Sequence, residues 1–147
     1  MGIAHLARST SFAVLVFSLI LAAGCSKRGP NRAAVSGEVR IDNVPLAEGT
    51  INFFPTDDNQ GPSAGIGIKD GKYTIPIGGG AVVGKNLVKI TGFRASGSKM
   101  FDAMDKDKII DKMERAVGPE FNEASTLIRD VVEGKNTFDF DLAGVKK

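Results

Sequence analysis

The chain has 147 residues, with 19 Lys and Arg against 17 Asp and Glu and a formal net charge of +2. This length suits one ordinary domain, and the near balance of charge argues against a nucleic-acid partner. The only histidine is His5, so no histidine-based triad or metal site is expected in the remainder of the chain. Because no acid, base, nucleophile and metal ligands converge in the sequence, we predict a non-enzymatic protein without a cofactor.

The N-terminal segment is predicted to be a secretory signal peptide, residues 1–24. Arg8 precedes an apolar run from Phe12 to Leu21, and small residues follow that run. The run is shorter than the roughly 20 residues that a membrane-spanning helix needs. We therefore expect the segment to be removed.

The only cysteine of the chain, Cys25, directly follows this segment. Residues 21–25 have the sequence LAAGC and resemble the bacterial lipobox. The resemblance implies cleavage between Gly24 and Cys25 and lipid attachment to Cys25, which makes the membrane a partner. Two or three acyl chains hold a protein stably on a membrane, whereas one does not. Ser26 stands where an aspartate would favour inner-membrane retention, so outer-membrane localisation is expected.

Residues 25–34 are interpreted as the lipidated cysteine and a tether. The stretch after the cysteine is polar and basic and shows no apolar period. Nine extended residues, Ser26 to Ala34, would reach roughly 30 Å. The tether would lift the following domain off the lipid headgroups.

From Val35 onward, apolar residues recur with the period of two that is typical of half-buried strands. Asp42 and Asn43 tolerate turn conformations, and Asp70-Gly71 predicts a tight type I′ hairpin. Short strands separated by such turns predict an all-β fold, a seven-stranded antiparallel β-sandwich over residues 35–142 with a polar tail at 143–147. The predicted strands are residues 35–41, 50–54, 64–69, 73–75, 87–92, 126–132 and 136–142.

Four segments resemble the carboxypeptidase regulatory-like, or transthyretin-like, domain. They are VSGEV at 35–39, VPL at 44–46, INFFP at 51–55 and KDGKY at 69–73. The closing run, 119–142, is similar to small envelope lipoproteins of planctomycete bacteria. The resemblance implies a transthyretin-like or Ig-like sandwich in the bacterial cell envelope, and it implies no activity.

An insertion, residues 98–118, separates the fifth and sixth predicted strands. It is far longer than a hairpin needs, and we predict a short helix capped by Asp105 or Asp107. Three alternatives stay open: the helix covers a sandwich edge or end, it forms a partner surface, or the insertion is disordered. The predicted apolar stripe of the helix is Ile110, Met113 and Val117, and the predicted partner contacts are Met100, Phe101 and Met104.

The predicted function is that of a membrane-anchored lipoprotein whose non-catalytic sandwich contacts an envelope protein or polysaccharide. The alternative is a small-ligand protein that binds carbohydrate or calcium near Asp57 and Asp58.

A glycine-containing motif, residues 79–85, fits the start of a phosphate-binding P-loop. Asn86 then replaces the required Ser or Thr, so we interpret this segment as a glycine-rich loop.

Overall fold

The computed structural model describes residues 29–56 and 59–145. Within these ranges the chain forms eleven β-strands and two short 3₁₀ helices, Ile77–Gly79 and Pro119–Phe121. The strands are β1 (Arg32–Ile41), β2 (Val44–Pro45), β3 (Glu48–Pro55), β4 (Ala64–Lys69), β5 (Lys72–Ile75), β6 (Ala81–Val82), β7 (Gly84–Phe101), β8 (Ile109–Arg115), β9 (Leu127–Val131), β10 (Lys135–Thr137) and β11 (Phe140–Leu142).

The strands form a mainly antiparallel sheet that curls into a half-barrel, which confirms the all-β prediction. Its main path runs β10-β1-β5-β4-β3-β7-β8, with β2, β6 and β11 on β1 and β9 on β7. The count of seven strands is wrong for the described residues, because β2, β6 and β8 are additional and the last predicted strand is interrupted between Thr137 and Phe140. A two-sheet sandwich is not confirmed by this arrangement.

The core is one cluster of buried apolar side chains to which most strands of the sheet contribute. Apolar side chains alternate along β1, where Val35, Val39 and Ile41 are buried, as the period of two predicts. At the centre, Phe53 of β3 packs with its ring centroid 6.3 Å from that of Tyr73. Other fully buried core residues are Ile51, Ile75, Val88, Ile90 and Val131.

Two predicted turns are present. Asp42 and Asn43 both have positive φ, 51° and 66°, and join β1 to β2. Asp70 and Gly71 join β4 to β5 with φ of 50° and 78°, the left-handed pair that a type I′ turn requires. These turns fix the register of the neighbouring strands.

The predicted helix within residues 98–118 is wrong. β7 continues to Phe101, and β8 returns antiparallel to it, so the insertion is a β-hairpin. The predicted stripe fails because Ile110 and Met113 lie on opposite faces of β8, while Val117 is buried in the body of the domain. Asp107 is not a helix cap, since its backbone N–H donates to Asp105 Oδ1 in the hairpin loop.

Both ends of the described chain are fixed to the domain more closely than predicted. β1 begins at Arg32, so the last three residues assigned to the tether belong to the sheet. The N–H of Val83 also donates to the carbonyl of Asn31. In the tail, Gly144 bridges to Val117 and donates to Asp42 Oδ1. Among the residues described, no helix is long and apolar enough to cross a membrane.

Candidate interaction surface

The hairpin made by the distal half of β7 and by β8 extends beyond the rest of the sheet. We call residues 94–115 the arm. The first residue of β3, Glu48, pairs with Phe93 of β7, and past this pair β7 is bonded only to β8. A register shift between Ala95 and Lys99 interrupts the arm's ladder, and Gly97 within it has a φ of 81°. The arm is therefore a two-stranded ribbon, an arrangement that is only marginally stable by itself in water.

The arm projects away from the end of the sheet at which β1 begins. β1 and β7 run in the same direction, since four antiparallel pairings connect them. A row of paired residues crosses the sheet and serves as a reference. Along the shared direction of β1 and β7, Arg32 lies well before this row and Phe101 lies well beyond it. That row consists of Glu38, Lys72, Lys69, Glu48 and Phe93.

The three predicted partner contacts all lie at the far end of the arm. Met100 is 46% exposed, Phe101 is 64% exposed and Met104, in the loop, is 99% exposed. Met100 pairs with Ile110, and Phe101 pairs with Ile109. Because neighbours along a strand point to opposite faces, Met100 and Phe101 serve different faces of the ribbon.

Three apolar residues share the face of Phe101, although sequence reasoning assigned none of them to the partner contacts and placed Met113 on a helical stripe. They are Phe93, Ile109 and Met113, and all are substantially exposed. Opposite residues of an antiparallel pair lie on one face, and so do residues two apart. The signal in the sequence was the adjacent pair of β-branched residues at 109 and 110, which favours a strand.

Ion pairs bridge the two strands of the arm. Lys99 Nζ lies 2.7 Å from Asp111 Oδ1, and Arg94 Nε lies 2.9 Å from Glu114 Oε1. Both pairs are partly exposed, so each contributes at most about 1 kcal/mol. The arm thus presents apolar side chains beside two ion pairs that join its strands.

The loop of the arm is held by its own aspartates. Asp102 Oδ1 accepts the N–H of Met104 at 2.8 Å, and the N–H of Asp102 donates to the carbonyl of Lys108. Phe101, Ala103 and Lys106 line an open depression of about 470 Å³ beside Asp102. The carboxylates of Asp102 and Asp105 therefore already accept hydrogen bonds from the loop.

The other predicted sites are not assembled by the described residues. Asp57 and Asp58 lie outside them, as do Gly24 and Cys25. Within the described ranges, no three His, Cys, Asp or Glu side chains are placed to hold a metal ion.

The departure from the P-loop pattern has a structural role. Asn86 is fully buried at the start of β7. Its Nδ2 donates to the carbonyls of Val82 and Gly84, both at 2.8 Å. The amide thus holds the connection between β6 and β7, a connection that is strand-like and not the start of a helix.

Comparison with known proteins gives little. The chain matches no known protein-family profile and no curated protein sequence. A solved structure of a 9R-lipoxygenase from Cyanothece PCC8801 aligns with 89% of this chain at 11% identity and a TM-score of 0.35. This chain spans only 20% of that lipoxygenase chain, and at such a score the similarity supports no conclusion.

Proposed function

We propose that this chain is a lipid-anchored, non-catalytic protein of the bacterial cell envelope whose arm contacts another envelope protein. The observation that carries the proposal is the direction of the strands, which places the chain's entry and the arm at opposite ends of the sheet. The chain enters the domain at Arg32, and the exposed apolar residues of the arm lie at the opposite end. An anchor before Arg32 would leave the arm pointing away from the membrane.

The anchor in this proposal is a lipid on Cys25, exposed by cleavage after Gly24. Since Asn31 is already fixed to Val83, only the residues between Cys25 and Asn31 remain as a tether. Fully extended, they span at most about 20 Å. The domain would therefore stay closer to the membrane than a tether reaching Ala34 would allow. Ser26 favours the outer membrane as its location.

The domain in this proposal is a transthyretin-like or Ig-like module. Support comes from the all-β, mainly antiparallel fold and from the two tight turns at Asp42-Asn43 and Asp70-Gly71. Such a module supplies a rigid platform for a contact element and needs no catalytic group.

The arm suits a protein partner because of its side chains. Met and aromatic residues are enriched at protein–protein interfaces, and the unbranched, flexible Met side chain adapts to irregular surfaces. Met100, Phe101 and Met104 supply such groups at the tip. Polysaccharide is the less favoured partner, because the chain has no tryptophan and its single tyrosine, Tyr73, is buried.

Crosslinking in intact cells tests the contact surface. A variant with Met100→Ser, Phe101→Ser and Met104→Ser should lose a specific crosslinked envelope protein that the native chain retains. The matched control is Ile77→Ser with Val132→Ser, which removes apolar groups that are 61% and 59% exposed at the anchor end. Retention of the partner by the arm variant, or crosslinking to polysaccharide alone, would contradict the proposed contact.

Detergent phase partitioning tests the anchor separately. The native chain should enter the detergent phase, and Cys25→Ala should leave it. Full retention of Cys25→Ala in the detergent phase would rule out lipidation at Cys25.

A further inference from the structure

The outer edge of β8 is a regular, unpaired strand edge. β7 occupies one side of β8, and among residues 29–56 and 59–145 no strand pairs with the other side. By contrast, the free edge of β7 in the arm is broken by the register shift after Ala95. An open, regular edge is a template for another strand.

Two hydrogen bonds show which backbone groups of β8 face the open edge. The N–H of Ala116 donates to the carbonyl of Gly92, and the carbonyl of Lys108 accepts from Asp102. Even-numbered residues of β8 therefore direct their backbone groups toward β7. Because the direction alternates along an antiparallel strand, the odd-numbered residues present theirs to solvent, namely Ile109, Asp111, Met113 and Arg115.

We propose that this edge pairs with the same edge of a second copy, antiparallel and centred on Asp111. Twofold symmetry then places each residue opposite one at an equal distance from Asp111. Ile109 lies opposite the second copy's Met113, and Lys108 lies opposite its Glu114. By symmetry each of these two pairs occurs twice, so the segment is complementary to itself in shape and charge.

The proposal depends on this register, and the two registers shifted toward Val117 are less favourable. Centring on Lys112 sets two lysines opposite each other and places Ile109 against Arg115. Centring on Met113 sends the partner's Ile109 to Val117, whose backbone is already bridged to Gly144. Like charges directly opposite are destabilising, and an occupied backbone position excludes pairing.

The central pair itself brings two Asp111 carboxylates together. Each is 2.7 Å from the Lys99 ammonium of its own chain, so the central row carries two positive and two negative charges. On the same face, Ile109 continues the apolar row that Phe101 begins. The tip residue Met104 remains outside the pairing, so it stays accessible to the partner proposed above. The self-association does not depend on that partner.

Disulfide trapping in the full chain, expressed in membranes, tests the register. Asp111→Cys, Lys112→Cys and Met113→Cys are compared under mild oxidation, with the chain lacking an added cysteine as the control for Cys25. Asp111→Cys should give the most disulfide-linked dimer, because only its thiols meet on the symmetry axis. A maximum at Lys112→Cys or Met113→Cys, equal yields at all three, or crosslinking only to a different protein would overturn the proposal.

A proline variant separates edge pairing from folding. Met113→Pro removes an N–H that faces the open edge, so it should leave the β7–β8 ladder in place, and Met113→Thr is the matched control. In the Asp111→Cys background, proline should lower the dimer yield about tenfold through the loss of two intermolecular hydrogen bonds, whereas threonine should not. Thermal melting of each variant verifies folding, and an unchanged yield in folded Met113→Pro would overturn the proposal. If Met113→Pro fails to fold, Asp111→Pro, which also removes an edge-facing N–H, is compared with Asp111→Thr in the native-cysteine chain by chemical crosslinking, and an equal dimer yield would overturn the proposal.

Discussion

The two halves of β7 lie in different environments although one strand contains both. From Gly84 to Phe93, β7 pairs with β3 along one edge and with β9 along part of the other. Val88 and Ile90 in this half are fully buried. Past Phe93 the strand has one partner and most of its side chains are exposed. Burial on one face produces an alternating pattern in the sequence, whereas exposure of both faces removes the pattern.

A contrast of several kcal/mol between body and arm should come from removing a phenylalanine ring in each. Phe53 is fully buried, with its ring centroid 6.3 Å from those of Tyr73 and Phe138. Phe53→Ala should lower the free energy of unfolding by about 4 kcal/mol, since it leaves a cavity in the core. Phe101→Ala should lower it by less than about 1 kcal/mol. Urea unfolding of both variants checks this, and similar losses would mean that the arm is packed like the body.

The same contrast decides how much of the fold the sequence predicts. β1 was predictable because Val35 and Val39 are buried and the residues between them are less so. The hairpin at Asp70-Gly71 was predictable because few residue pairs adopt two successive positive φ angles. Both signals are local consequences of a strong physical constraint.

The arm was not predictable, because that constraint is missing there. Its spacing of Ile110 and Met113 matches a helix by coincidence, and no buried face exists to impose alternation on β8. The loop aspartates contributed to the error, since a carboxylate that accepts a backbone N–H can cap a helix or close a turn. Asp105 does the latter. The exposed tip residues Met100, Phe101 and Met104 could be named from composition, but their distribution over two faces depends on strand geometry.

A smaller effect should follow from removing one buried hydroxyl of the body. Tyr73 is 3% exposed, and its hydroxyl donates to the carbonyl of Phe138 at 2.8 Å. Tyr73→Phe leaves that carbonyl without its donor and should lower the free energy of unfolding by about 1–2 kcal/mol. Thermal melting at neutral pH measures the loss. A variant as stable as the native chain would show that the bond has no net value.

Alkaline pH should act through the same group. Burial, followed by the negative charge of Asp139, raises the pKa of Tyr73 well above its ordinary value of 10.0. The unfolded chain loses this proton near pH 10 while the folded chain keeps it, so the stability that Tyr73 contributes is present below that pH and is lost as the pH rises above it. Above about pH 10, the melting temperature should therefore fall more steeply with pH in the native chain than in Tyr73→Phe. Because Tyr73 is the only tyrosine, near-ultraviolet absorbance reports its ionisation directly, and titration of the folded protein at the ordinary pKa would contradict the burial.

The smallest effect should come from placing a charge on the arm. Met113 is 46% exposed on β8, so its side chain already meets water, and Met113→Asp buries no charge. In dilute protein, where copies are apart, its free energy of unfolding should change by less than about 0.5 kcal/mol. Ile90→Asp is the matched control in the body, where the same carboxylate would enter a fully buried position and prevent stable folding. If Met113→Asp destabilised the dilute chain by several times the expected amount, the arm would have to fold back onto the body, and the contrast between the two halves of β7 would disappear.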